Sequence, residues 1–280
     1  MATQHITEWA GLRLSRPLVM GILNVTPDSF SDSGRHFAPE TAIEAGRLML
    51  AEGADILDIG GESTRPGAHP VSVEDEMARV LPVVRALAAD GAVVSVDTRN
   101  TATMAAGLQA GARIINDISG LTHDQAALPL VAERGCPVVL MHMRGTPETM
   151  NALAIYQDVE KDVMAELDAL CGRALLAGVK PWNICLDPGF GFAKRGEQNV
   201  LLLKKLPQLV ETGYPILVAL SRKRFLGDIS MEADASKRDP ESLAAGLYSI
   251  AQGAHILRVH DVGGTVRALR VWQRLTEETL

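Results

Sequence analysis

An alternation of short apolar runs with longer amphipathic stretches constrains this chain more than any other feature. Eight such runs recur: 18–23, 56–59, 92–96, 113–115, 137–141, 183–186, 215–220 and 255–259. They are rich in β-branched residues and apolar on both faces, the pattern of strands buried in a parallel sheet. Helical patterns lie between them. Val159, Val163, Leu167 and Leu170 form one stripe, and Val262, Val266, Leu269 and Trp272 form another. Ser72-x-x-Asp75 and Thr122-x-x-Gln125 resemble capping boxes, and Asp239-Pro240 sets a cap before a proline at the first helical position. Eight strand–helix units within 280 residues predict an α/β fold, a single (β/α)8 TIM barrel over 1–280 with an N-terminal hairpin or cap beneath it. An open doubly wound sheet is the alternative. It would want a G-x-G-x-x-G turn after the first strand, where this chain reads Asn24-Val-Thr-Pro-Asp28.

Composition narrows the function. The chain carries 27 Lys and Arg against 34 Asp and Glu, a formal charge of -7, and only 4% aromatic residues, which disfavours nucleic-acid and membrane-surface binding. No apolar stretch is long enough to span a bilayer, and Met1–Glu8 lacks the pattern of a secretory signal, so a cytoplasmic chain is expected. Cys136, Cys171 and Cys185 match no zinc or redox spacing and read as small buried hydrophobes.

Barrel chemistry sits at the C-terminal ends of the strands. In this chain those ends supply Asn24, Gly60 to Arg65, Asp97, Asn116, His142, Asp187, Ser221-Arg222-Lys223, and Arg258 with His260. Helix capping explains one or two of these, not all. Asp97, Asn116 and Asp187 suit the donor-rich edge of a flat amidine such as a pterin or guanine; a metal site is the competing reading. Arg258-Val-His260 alternates along its strand and leads into Gly263-Gly264 at a helix start, a pattern for anionic oxygens to which Lys223 and Arg65 add charge. The long segments Thr26–Ala38 and Gly60–Ser72 read as lids at the same mouth. Met141 and Met143 lie opposite His142, and packing accounts for at least one of them.

Met20-Gly-Ile-Leu-Asn-Val-Thr-Pro-Asp-Ser-Phe-Ser-Asp32 and Asp58-Ile-Gly-Gly-Glu-Ser-Thr-Arg-Pro-Gly67 resemble the two signature segments of dihydropteroate synthases. Ser95–Thr98, Ile115–Ile118, Met141–Met143, Asp187–Phe192, Ser221–Lys223 and Arg258–Asp261 are similar to further family motifs, in order along the chain. The resemblance implies condensation of p-aminobenzoate with 6-hydroxymethyl-7,8-dihydropterin pyrophosphate in folate biosynthesis, through SN1-like loss of Mg²⁺-bound pyrophosphate. It implies that Asp97, Asn116, Asp187 and Lys223 hold the pterin, and that Thr64, Arg65, Arg258 and His260 hold the pyrophosphate. By the same pattern Phe30, Pro66, Phe192 and Ser221 line the p-aminobenzoate pocket, Asn24 ligates Mg²⁺, and Asp97, Lys223, Arg258 and His260 carry catalysis. A homodimer and a sulfonamide target are implied as well. Two positions depart from many members: Arg224 stands where they have Ser, and Ala193 where they have Gly. An inactive pterin-binding paralogue and a methyltetrahydrofolate-dependent methyltransferase domain are the competing readings. The second has no use for a pyrophosphate site.

Overall fold

The computed structural model describes residues 6–26, 39–63 and 71–276. A two-stranded antiparallel hairpin, β1 (Glu8–Trp9) and β2 (Leu12–Arg13), precedes the barrel. The barrel strands are β3 (Leu18–Asn24), β4 (Ile56–Gly60), β5 (Val94–Asp97), β6 (Ile114–Asp117), β7 (Val138–Met141), β8 (Ile184–Asp187), β9 (Leu217–Val218) and β10 (Ile256–Val259). Neighbours pair in parallel from β3 round to β8, β10 pairs with β3, and β9 pairs with β10. The ring closes between β8 and β9 through one parallel bridge, Leu186 to Ile216. Every apolar run contains a strand, and the expected hairpin is present.

Helices follow the strands: α1 (Pro39–Glu52), α2 (Val73–Ala89), α3 (Thr101–Gln109), α4 (Ala127–Arg134) and α5 (Val159–Leu176). Two helices follow β8, α6 (Gly196–Lys204) and α7 (Leu206–Val210), and two follow β9, α8 (Arg224–Ser230) and α9 (Asp239–Ala251); α10 (Val262–Thr276) follows β10. Val159, Val163 and Leu167 of the α5 stripe are buried, as are Val262 and Leu269 of α10. Among the described residues no helix is long and apolar enough to cross a membrane.

Period two sorts the strand residues into two cores. Val19, Leu57, Ile59, Val94, Val96, Ile115, Val138, Leu140, Leu186 and Leu257 face the helices. Leu18, Met20, Ile56, Ile114, Val139, Cys185, Leu217 and Ile256 fill the barrel interior, and the hairpin's Trp9 packs against them, its indole N–H donating to Asn183 O at 3.1 Å. All three cysteines are free and buried.

Two helix starts differ from expectation. Ser72 does cap α2, accepting from Asp75 N at 3.1 Å. Thr122 forms no box; its hydroxyl donates to Ser119 O, and α4 begins five residues later without a side-chain cap. Asp239 is the first residue of α9 rather than its cap, because Arg222 Nε and Nη2 hold its carboxylate at 2.7 and 2.8 Å.

Candidate active site

The alternation that places Leu18, Ile56 and Ile256 inside the barrel places Asn24, Asp58, Asp97, Asn116, Asp187 and Arg258 inside as well, nearer the C-terminal mouth. Arg258 Nε donates to Asp58 Oδ2 at 2.6 Å, and its Nη2 donates to Asp97 Oδ2 at 2.7 Å. Asn116 Nδ2 donates to the same Asp58 oxygen at 2.9 Å. The amide orientation of Asn116 is thereby set: its nitrogen faces Asp58, leaving its carbonyl as the acceptor for a ligand. Asp58 is fully buried, and its Oδ1 has no hydrogen-bond partner. The sequence reading did not assign Asp58, although a carboxylate inside Ile56-Leu-Asp-Ile59 on the inward register is the signal that marks it.

Arg258 therefore reaches into the carboxylate cluster instead of standing apart as an anion ligand. Two of its five N–H groups are engaged by Asp58 and Asp97, and three are left for anionic oxygens. Burial pushes Asp97 up to about 7 against the pull of Arg258. Burial also raises Asp187, opposed by the Gly189 N–H, which donates to its Oδ1 at 2.7 Å, and by Lys223. Lys223 is pulled down to about 8 by burial, with Asp187 acting the other way. Its Nζ lies 4.4 Å from the centre of the Phe192 ring, joining the loops after β8 and β9. Ser221 Oγ lies 2.9 Å from His260 Nδ1 and accepts the His260 backbone N–H at 3.1 Å. Asp261 Oδ1 accepts the Gly264 N–H at the start of α10, so that amide of the expected anion site is already occupied. Arg224 is exposed, with Asp228 its ion-pair partner at 3.9 Å.

Phe30, Thr64, Arg65 and Pro66 lie outside the described residues, as does most of both expected lids. The flanks of the second are fixed. Glu62 pairs with Arg99 at 3.1 Å and accepts Val71 N–H at 3.2 Å, and Arg79 donates to Gly61 O at 3.0 Å. These anchors were not evident from the sequence.

Asn24 is half-buried at the end of β3. Among the described residues no three His, Cys, Asp or Glu side chains cluster as a metal cage. One hard oxygen from Asn24 fits Mg²⁺, an ion held by few protein oxygens and completed by substrate phosphates and water.

Behind the loop after β8 stands a second polar group. His142 is buried; Lys194 Nζ lies 2.9 Å from its Nδ1, and Glu166 Oε2 lies 2.9 Å from its Nε2. Arg144 pairs with Glu166 and stacks 3.9 Å above the Tyr156 ring. Met141 and Met143 pack together with Ile118, Met150 and Phe192. Burial drives the His142 pKa down to about 4, only partly offset by Glu166. Between pH 6.5 and 4 the unfolded chain takes up a proton at His142 that the native state refuses. Stability should fall as pH falls through that window, by up to about 3 kcal/mol from this group. Urea unfolding at pH 7 and 4.5 should show a larger loss for wild type than for His142→Gln; equal losses would rule out this source.

An eight-stranded barrel whose mouth gathers acceptors for an amidine edge and cations for an anionic tail suits an enzyme that handles a flat amidine, such as a pterin or guanine, with an anionic tail. The model of the pterin binding enzyme family matches residues 20–260. The dihydropteroate synthase of Neisseria meningitidis serogroup C is 46% identical over 265 residues, covering 94% of each chain. The structure of Xanthomonas albilineans dihydropteroate synthase with 4-aminobenzoic acid superimposes with a TM-score of 0.91 at 45% identity, covering 100% of both chains. That enzyme with 7,8-dihydropteroate gives a TM-score of 0.87 at 44% identity, covering 96% of this chain and 97% of that one. The chain belongs to the pterin binding enzyme family and, within it, to the dihydropteroate synthases.

Proposed function

We propose that this protein joins p-aminobenzoate to 6-hydroxymethyl-7,8-dihydropterin pyrophosphate, giving 7,8-dihydropteroate and pyrophosphate. The observation that carries the reading is the arrangement of Asp58, Asp97, Asn116 and Arg258 within one barrel mouth. Asp97, the Asn116 carbonyl and Asp187 accept from the amidine edge of the pterin, and Lys223 donates to its oxo side. The remaining N–H groups of Arg258, with His260, take oxygens of the diphosphate. Asn24 would hold Mg²⁺, which supplies charge neutralisation at the diphosphate when bound.

The C–O bond to the diphosphate breaks and its electron pair leaves with oxygen. The positive charge left on the CH₂ group spreads into the electron-rich pterin, where Asp97 faces it. The arylamine nitrogen then bonds to that carbon and loses a proton. No nucleophilic side chain takes part. The same site would make the protein a sulfonamide target, since such compounds share the arylamine. Exposed Ile229 and Met231 at the end of α8, Tyr248 on α9, and Val271 and Leu275 on α10 support a homodimer built on the later helices.

The test is product formation from both substrates and Mg²⁺, with each omitted in turn. Dihydropteroate appearing only in the complete mixture is the expected result. Pterin binding without product would instead favour the inactive paralogue. A cobalamin-dependent methyl transfer from methyltetrahydrofolate would favour the methyltransferase.

A further inference from the structure

Lys194 is 6% exposed. Its Nζ meets four acceptors at hydrogen-bond distance: His142 Nδ1 at 2.9 Å, Gly189 O at 2.9 Å, Phe192 O at 3.0 Å and, more distantly, His142 O at 3.4 Å. Burial pulls the Lys194 pKa down to about 7, and its protonated form carries three protons, enough for the three shorter contacts. The proton arrangement of the neighbour follows. Glu166, held ionised, can only accept, so the hydrogen of neutral His142 sits on Nε2 and its Nδ1 accepts from Lys194. Arg144 holds Glu166 from the other side, which completes a line of contacts from the helix layer to the mouth.

The two carbonyls that Lys194 grips are the ends of one turn, closed by Phe192 N–H donating to Gly189 O at 3.1 Å. That turn is built tightly. Gly189 has φ +68°, and a Cβ there would lie 2.0 Å from His142 O. Ala193, with φ +49°, is a side-chain-bearing residue in the left-handed region. The two ends of the turn serve different parts of the mouth. At the Gly189 end, Asp187 is fixed by its own contact with the Gly189 N–H. At the Phe192 end the ring faces Lys223 Nζ, and the backbone carbonyl is held by Lys194.

We propose that Lys194 is a positioning residue for the arylamine side of the site, fixing the Phe192 ring through its grip on the turn while leaving the pterin contacts to Asp187, Asn116 and Asp97. The inference rests on the dihydropteroate synthase reading, which makes the Phe192 wall part of the p-aminobenzoate pocket. Lys194 touches neither substrate; it acts through Phe192. A small displacement of a substrate-positioning group is costly in rate, up to about a hundredfold per ångström.

Lys194→Met keeps the length and removes every donor. Its KM for p-aminobenzoate should rise by about tenfold or more, while the Kd of dihydropterin pyrophosphate, measured by calorimetry without p-aminobenzoate, stays within about threefold. Lys194→Gln retains two donors on a shorter arm and should fall between wild type and Lys194→Met. A role confined to stability would lower the unfolding midpoint and leave the ratio of the two constants unchanged. That result would overturn the proposal, as would equal weakening of both substrates. Should Lys194→Met fail to fold, Lys194→Gln decides alone: a p-aminobenzoate KM within twofold of wild type overturns the proposal. Wild-type protein run in parallel separates the two levels, because absence of turnover there refutes the activity itself and leaves Lys194 out of the question.

Discussion

Replacing Asp97 by asparagine should cut turnover by about a hundred- to a thousandfold while weakening pterin binding by no more than about tenfold. Asparagine keeps the size of the side chain and one acceptor oxygen, so most of the ground-state contact survives. It removes the negative charge that the carboxylate carries when deprotonated, above about pH 7. That charge lies in the barrel, 2.7 Å from Arg258 Nη2, where water does not screen it. A fixed charge in such a place acts most strongly on the positive charge that develops when the diphosphate leaves. Single-turnover rates with saturating pterin pyrophosphate, beside calorimetric affinities, check the split. Equal losses in rate and affinity would place Asp97 in uniform binding and remove it from the chemical step.

Replacing Arg258 by methionine should abolish turnover and also destabilise the fold by about 3–5 kcal/mol, the usual cost of removing one partner from a buried ion pair. Two carboxylates depend on this one guanidinium. Asp58 is fully buried, and without Arg258 it would keep only the Asn116 amide. The sign with pH is fixed by the same geometry. Loss of the cation removes the pull that opposes burial, so the native pKa of Asp97, already about 7, rises further. The penalty from Asp97 is then full well above pH 7 and shrinks as pH falls through that value and the native carboxyl protonates in both proteins. Urea unfolding at pH 9 and pH 6 should show the gap to wild type narrowing at pH 6. A gap equally wide at both would attribute the loss to packing of the arginine stem. Asp58→Asn combined with Arg258→Met should recover part of the stability and none of the turnover.

The barrel was legible because its signal is periodic. Runs such as Leu18–Leu23 and Pro215–Leu220 are short and apolar on both faces, and only burial in a covered parallel sheet accounts for eight of them. Asp97, Asn116, Asp187 and Arg258 were legible for a related reason, since a charge or amide at the end of such a run is out of place unless it is used. Asp58 was hidden by its position inside the run, where a polar residue in an apolar word reads as noise until the inward register is traced. Lys194 and Glu166 were hidden differently. Their partner His142 is 52 residues from one and 24 from the other, and no local pattern encodes that meeting. The pairing of Arg258 with two carboxylates was equally invisible, because 200 and 161 residues separate it from Asp58 and Asp97. The misplaced caps at Thr122 and Asp239 show the same limit. Local chemistry at each is correct, but nearby groups (Ser119 O and the Arg222 guanidinium) claimed the side chains first.

The junction of β8 with β9 is held by a single backbone bridge, Leu186 to Ile216, where the β3–β4 junction is a ladder of five residue pairs. The loops that follow these two strands supply Phe192 and Lys223, which face one another across that junction. Side chains there share the task that backbone hydrogen bonds perform around the rest of the circumference. A molecule seated between those loops would touch both and add a further link across the gap. The cylinder is thus fastened most lightly at the edge where these two loops meet.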